Sequence, residues 1–216
     1  MHFIERGSTD YILVGSSNSL YLESKYPRDH MFRMVNFRNI SLSGLSVDPK
    51  AQERYLFNHL RRHLYPTLRP TQLLTTQIII FIGANDYSNN EYDLFAKAFY
   101  QAMVKLSNYV IPSNILVIMP LPRSKGITKH GTQMQEIATL ENDLNDLGCK
   151  TINTYNALPE FMRKPKELFG KHEKDENAKH YSNEVKAEIH NMIATNIKLD
   201  LQHKWMKIKD PWCFTY

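Results

Sequence analysis

The sequence predicts an α/β protein in which a parallel sheet is covered by helices on both faces. Along its 216 residues, short apolar runs typical of buried strands alternate with segments whose apolar residues recur at helical spacing. The clearest strands are the continuous apolar runs at 78–82 and 115–119. Parallel strands need crossover connections, usually helices, so this alternation favours a parallel sheet.

Before the strand at 78–82, the sequence predicts strands at 11–14 and 31–41, with a short helix at 20–26 between them. Another helix is expected to begin at Asp48-Pro49, because Asp is a good N-cap and Pro is favoured in the first turn. Leucines at four-residue spacing continue it until just before Pro66: Leu56, Leu60 and Leu64.

The remaining elements follow the strand at 78–82 in regular order. Helical spacing of apolar residues predicts helices over about 95–110, 134–147 and 183–197, and Gly148 is placed to end the second of them. Lys150 to Thr154 predicts a short strand, and residues 156–176 are expected to be irregular.

A cluster of small residues, Gly15-Ser16-Ser17-Asn18, comes directly after the first predicted strand. Gly44, Asn85 and the segment 120–123 also follow predicted strands. Sites in such sheets form beyond the carboxyl ends of the strands, so these segments should share one edge.

These residues supply what acyl transfer needs: a nucleophile, a base and donors for the oxyanion. Ser17 offers the hydroxyl. The N–H groups of Ser17 and Gly44, with the side-chain amide of Asn85, offer the donors. His180 lies just before the last predicted helix and is the candidate base.

The same blocks are similar to those of the SGNH (GDSL-type) hydrolases: residues 15–17, Gly44, 83–86 and 177–182, in that order. The resemblance spans residues 11–197. It implies a flavodoxin-like three-layer α/β/α sandwich with about five parallel strands, and hydrolysis of an acetyl or short acyl ester without a metal or cofactor. It also implies Ser17 as the nucleophile rather than Ser16 or Ser19, because the family's serine stands two residues after the glycine.

Asn177 departs from the family, whose late motif is Asp-x-x-His. A neutral amide accepts a hydrogen bond from imidazole but does not stabilise the imidazolium as a carboxylate does. The sequence leaves three arrangements open. Asn177 orients His180, or Asp175 or Glu176 supplies the acid, or Ser17 and His180 act as a dyad.

A second function also stays open, namely a binding or assembly module with a weak or inactive site. The Gly-Ser-Ser, Pro-Leu-Pro-Arg and His-Tyr-Ser segments resemble esterase-like domains in LINE-type retrotransposon and viral proteins. We expect a domain over 1–197 and a basic, aromatic tail over 198–216 packed on it. The lysines and aromatic residues of this tail leave nucleic-acid binding open as well.

Composition excludes several other classes. The net charge of +5 is mildly basic, and no apolar run is long enough for a secretory signal or a membrane span. Two cysteines, Cys149 and Cys213, are too few for a disulfide framework, which favours a reducing, cytoplasmic location. His59 and His63 have metal-ligand spacing, but without an HExxH glutamate or an evident third ligand we expect packing and no metal.

Overall fold

The computed structural model describes residues 10–19, 36–64, 75–83, 86, 92–119, 130–158, 168–169 and 180–209. Its centre is a five-stranded parallel sheet with the strand order β2-β1-β3-β4-β5. The strands are β1 (Asp10–Gly15), β2 (Asn36–Asn39), β3 (Gln77–Phe81), β4 (Ile115–Ile118) and β5 (Lys150–Ile152). The prediction of a parallel α/β sheet is confirmed.

Five α-helices accompany the sheet in the described part of the chain: α1 (Leu56–Leu64), α2 (Tyr92–Ser107), α3 (His130–Asp146), α4 (Thr154–Ala157) and α5 (Asn183–Lys209). The segments Pro49–Arg54 and Pro112–Asn114 form 3₁₀ turns. Within these described helices there is no apolar stretch of the length that a bilayer crossing requires.

The sheet separates two apolar cores, because successive side chains of a strand point to opposite faces. On one face, alternate residues such as Ile12, Ile78 and Val117 pack with α1, α2 and α3. On the other, Leu13, Ile79 and Leu116 pack with α5, whose buried stripe is Val185, Ile189, Ile193 and Ile197. The sheet and the helices packed on its two faces form the three layers that were expected.

Several helix boundaries differ from the predicted ones. α2 runs over Tyr92–Ser107 rather than 95–110, and α3 begins at His130 rather than 134. Two further differences are larger. The helix expected from Asp48 to Leu64 is interrupted, because Ser46 pairs with the chain at the break: its N–H donates to Arg54 O (2.9 Å), and its carbonyl accepts from Leu56 N–H (2.8 Å). The last helix continues past residue 197 to Lys209, since 198–209 contains neither Gly nor Pro. The helix predicted at 20–26 lies outside the described residues.

Candidate active site

The topological switch point of the sheet lies between β1 and β3. Chain connections run in opposite directions from these neighbouring strands, and this is the switch point at which doubly wound sheets bind ligands. The Ser17 turn follows β1, and Asp86 comes shortly after β3. The fold therefore brings these two segments to the expected edge.

The turn after β1 is held tightly against β3. Ser16 N–H donates to the carbonyl of Phe81 (3.3 Å), and Ser19 donates to the carbonyl of Ser16 from both its N–H and its hydroxyl (3.0 Å each). Gly15 has no room for a side chain, because a Cβ there would lie 2.5 Å from Phe81 O and 1.7 Å from Ser19 Oγ.

This packing distinguishes the three serines of the turn. Ser16 and Ser19 are 2% and 0% exposed, and Asn18 is 3% exposed. Ser17 is only partly buried. It is thus the most exposed of the three serines in this turn.

A hydrogen bond joins this turn to the segment that carries His180. The side-chain oxygen of Asn18 accepts from Tyr181 N–H at 2.9 Å. The Tyr181 ring lies beside those of Phe81 (6.0 Å between centroids) and Phe169 (6.1 Å). His180, which is partly buried, therefore directly precedes a residue anchored on the Ser17 turn.

The residue after Tyr181 fixes the same segment to α5. Ser182 N–H donates to Leu168 O (2.7 Å), and its hydroxyl accepts from Val185 N–H (3.3 Å) as an N-terminal cap of the helix. The backbone on the C-terminal side of His180 is consequently held at two successive residues.

Gly44 lies in a turn attached to the end of β1. Leu42 N–H donates to Gly15 O (2.9 Å), and Leu45 N–H closes the turn on Leu42 O (3.0 Å). Gly44 has φ +74°, which favours glycine. Across the described residues, neither Ser17 N–H nor Gly44 N–H has a hydrogen-bond acceptor.

Asp86 links the end of β3 to the chain just beyond Gly44. Its Oδ1 accepts from the Ser46 hydroxyl and from Val47 N–H (3.2 Å). Burial raises the pKa of Asp86 to about 6 and outweighs these hydrogen bonds, which lower it. The buried Oδ2 has no hydrogen-bond partner in the described structure.

Several predicted site residues lie outside the described residues: Asn85, Asn177, Asp175, Glu176 and the segment 120–123. His59 and His63 lie together, with ring centroids 4.4 Å apart. His59 Nε2–H donates to Ile40 O (2.6 Å), and burial lowers the pKa of His59, so its imidazole is a packed neutral donor. The described residues contain no group of three or more potential metal ligands.

Sequence reasoning missed three residues that the fold brings to this region: Asn18, Tyr181 and Arg54. The contact between Asn18 and Tyr181 spans 163 positions and leaves no local pattern. Arg54 crosses the Gly44 turn, where a Cβ built on the glycine would lie 2.9 Å from its Nη1. A local break in the predicted helix produces that approach, and the leucine periodicity does not reveal it.

The sequence matches no protein-family model, and no curated protein matches it. Solved structures do match by fold. A lipase/acylhydrolase from Enterococcus faecalis superposes with a TM-score of 0.63 at 14% identity, over 88% of this chain and 95% of that one. A GDSL-like lipase from Bacteroides thetaiotaomicron gives a TM-score of 0.57 at 13% identity, over 89% of both chains.

An acetylxylan esterase from Geobacillus stearothermophilus matches with a TM-score of 0.54 at 14% identity, over 88% of this chain and 95% of that one. Other structures of that esterase carry catalytic mutations at a serine, an aspartate and a histidine, the aspartate three positions before the histidine. The resemblance to retrotransposon and viral domains stays a prediction. The chain therefore has the fold of GDSL-like lipases and acetylxylan esterases.

Proposed function

We propose that this protein is a serine ester hydrolase acting on an acetyl or short acyl ester. Ser17 Oγ attacks the ester carbonyl while His180 takes its proton, and His180 then returns the proton to the departing alcohol. Water, activated by the same histidine, releases the acid and restores the serine. Ser17 N–H, Gly44 N–H and the Asn85 amide stabilise the oxyanion.

The hydrogen bond from Tyr181 N–H to Asn18 carries this proposal. It anchors the candidate base on the turn that presents the candidate nucleophile. The N–H groups of Ser17 and Gly44, which have no acceptor among the described residues, support the oxyanion role, and the names of the structural neighbours support ester hydrolysis as the reaction class.

Asn177 lies three positions before His180, the separation of the aspartate and histidine mutated in the Geobacillus esterase. We propose that it accepts from the His180 ring and orients it, while Tyr181 and Ser182 hold the backbone. Asp175 as the orienting acid is the alternative. An uncharged orienting group predicts a slow enzyme, since the corresponding Asp to Asn change in serine proteases costs about 10⁴ in kcat.

The test measures hydrolysis of 4-nitrophenyl acetate and covalent labelling by a fluorophosphonate probe. Ser17→Ala should abolish both. Ser107→Ala, which removes a hydroxyl that donates to Val104 O at the end of α2, should abolish neither. Asn177→Asp should raise kcat at neutral pH. Full activity in Ser17→Ala would show that the nucleophile is assigned wrongly.

Asn177 also favours a second candidate, a binding or assembly module on this fold. α5 carries Lys198 and continues through Lys204 and Lys207 to Lys209, so four lysines of the basic tail belong to one helix. This candidate predicts salt-dependent binding of single-stranded RNA or DNA. Ester turnover without binding at low salt would reject it.

A further inference from the structure

Arg54 lies over the turn that contains Gly44. A Cβ placed on Gly44 would be 2.9 Å from Arg54 Nη1 and 3.4 Å from its Cδ, so the arginine side chain runs across the glycine. A backbone N lies about 2.5 Å from the Cβ of its own residue, and a hydrogen-bond donor lies about 3 Å from its acceptor. Adding these two distances to the 2.9 Å between Nη1 and the Cβ position gives an upper limit of about 8 Å between Arg54 Nη1 and an oxyanion bound to Gly44 N–H. Arg54 thus borders the proposed site.

The backbone two residues before Arg54 is strained. Gln52 has φ 52° and ψ −104°, and it is the one non-glycine residue with positive φ among the described residues. Its carbonyl accepts from Tyr55 N–H (3.1 Å) and from the Asn58 side chain (3.2 Å). Strain of this kind costs free energy and recurs at functional sites.

The charge of Arg54 is not neutralised by the described part of the protein. Oε1 of the neighbouring Glu53 lies 3.6 Å from Nη2 of Arg62 and forms an ion pair with it. No described carboxylate forms an ion pair with Arg54. Arg54 is also exposed, so an incoming ligand can reach it.

We propose that Arg54 is a specificity-determining residue that selects esters bearing a carboxylate near the scissile bond. The planar guanidinium matches a carboxylate with two parallel hydrogen bonds. This inference rests on the proposed function, because it places the ester carbonyl at Gly44. It adds a substrate class to that function: anionic esters rather than neutral ones.

The experiment compares 4-acetoxybenzoate with its neutral methyl ester. The wild-type protein should show a higher kcat/KM for the anion by about tenfold or more, the effect of one charge-assisted contact. Arg54→Gln should remove this preference while retaining turnover of the methyl ester. Arg54→Lys, which keeps the positive charge but lacks the planar guanidinium, should retain part of the preference for the anionic ester. Raising the salt concentration should reduce the preference, since the site is exposed.

Arg61→Gln is the matched control, because it removes an exposed arginine of α1 away from the Gly44 turn. The proposal would be overturned if the ratio of kcat/KM for the two esters were unchanged in Arg54→Gln, or if Arg61→Gln lost the preference equally.

A binding measurement separates the role of Arg54 from the assignment of the catalytic residues. Ser17→Ala should bind 4-acetoxybenzoate about tenfold more tightly than the methyl ester, and Ser17→Ala/Arg54→Gln should bind both equally. Equal binding of both esters by Ser17→Ala would reject the role of Arg54, whatever the catalytic result.

Discussion

The side-chain oxygen of Asn18 accepts a hydrogen bond from Tyr181 N–H at 2.9 Å, and both residues are buried. Asn18 directly follows Ser17, and Tyr181 directly follows His180. One hydrogen bond thus couples the backbone of the candidate nucleophile to that of the candidate base. In the proposed mechanism Asn18 is therefore a positioning residue, which acts through Tyr181.

Asn18→Ala should lower kcat by about ten- to a hundredfold with little change in KM, because a displacement of about 1 Å can cost 10² in rate. It also leaves a buried N–H without an acceptor, which should cost about 1–3 kcal/mol of stability. Steady-state kinetics and urea unfolding measure the two effects separately. Asn18→Asp retains an acceptor and should recover most of kcat. A destabilised Asn18→Ala protein with normal kcat would contradict the positioning role.

Gly15→Ala should destabilise the protein by about 2–3 kcal/mol, the upper part of the range for overpacking. The added methyl group would meet the Phe81 carbonyl oxygen at 2.5 Å, and this atom belongs to the backbone of β3. Denaturant unfolding checks the value. Ser19→Ala should not rescue Gly15→Ala, because the clash with Phe81 remains. Recovery in the double variant would place the strain in the Ser19 side chain instead.

Asp86 should make the protein less stable as pH rises. Its pKa is about 6 in the folded protein against 3.8 as the reference value. Between these values the folded state binds more protons than the unfolded state, so the free energy of unfolding decreases with pH. Protonated Asp86 therefore adds up to about 3 kcal/mol to the free energy of unfolding. This contribution is complete at a pH below the reference pKa and is lost as the pH rises past the pKa of the folded protein.

Asp86→Asn removes this titration and keeps an oxygen for Ser46 and Val47. The stability of the wild type relative to this variant should therefore fall between about pH 4 and about pH 7.5, as measured by urea unfolding. The comparison is needed because His59, whose pKa burial lowers, changes stability in the opposite direction. Asp143→Asn, an exposed change on α3, is the control. A constant difference between wild type and Asp86→Asn would refute the prediction.

Much of the fold was predictable from local pattern. The run Ile78-Ile79-Ile80 identified a strand buried on both faces, and the alternation of strands with amphipathic helices identified a parallel sheet. Prediction failed where a distant segment competed with local propensity. Ser46 pairs with the chain at Arg54 and Leu56, which breaks a helix that its leucine spacing would have continued.

By itself, the sequence determined which residue types are available for acyl transfer and the order in which they follow the strands. Glycine and serine after a buried strand, and histidine before a helix, are local features that indicated the segments holding Ser17, Gly44 and His180. The resemblance to the SGNH hydrolases implied Ser17 rather than Ser16 or Ser19. Only the tertiary structure decided which side chains support them. Asn18 meets Tyr181, Asp86 meets Ser46, and Arg54 crosses Gly44 because the sheet order brings distant loops to one edge. Such contacts depend on how elements pack, and the periodicity of a single element carries no information about them.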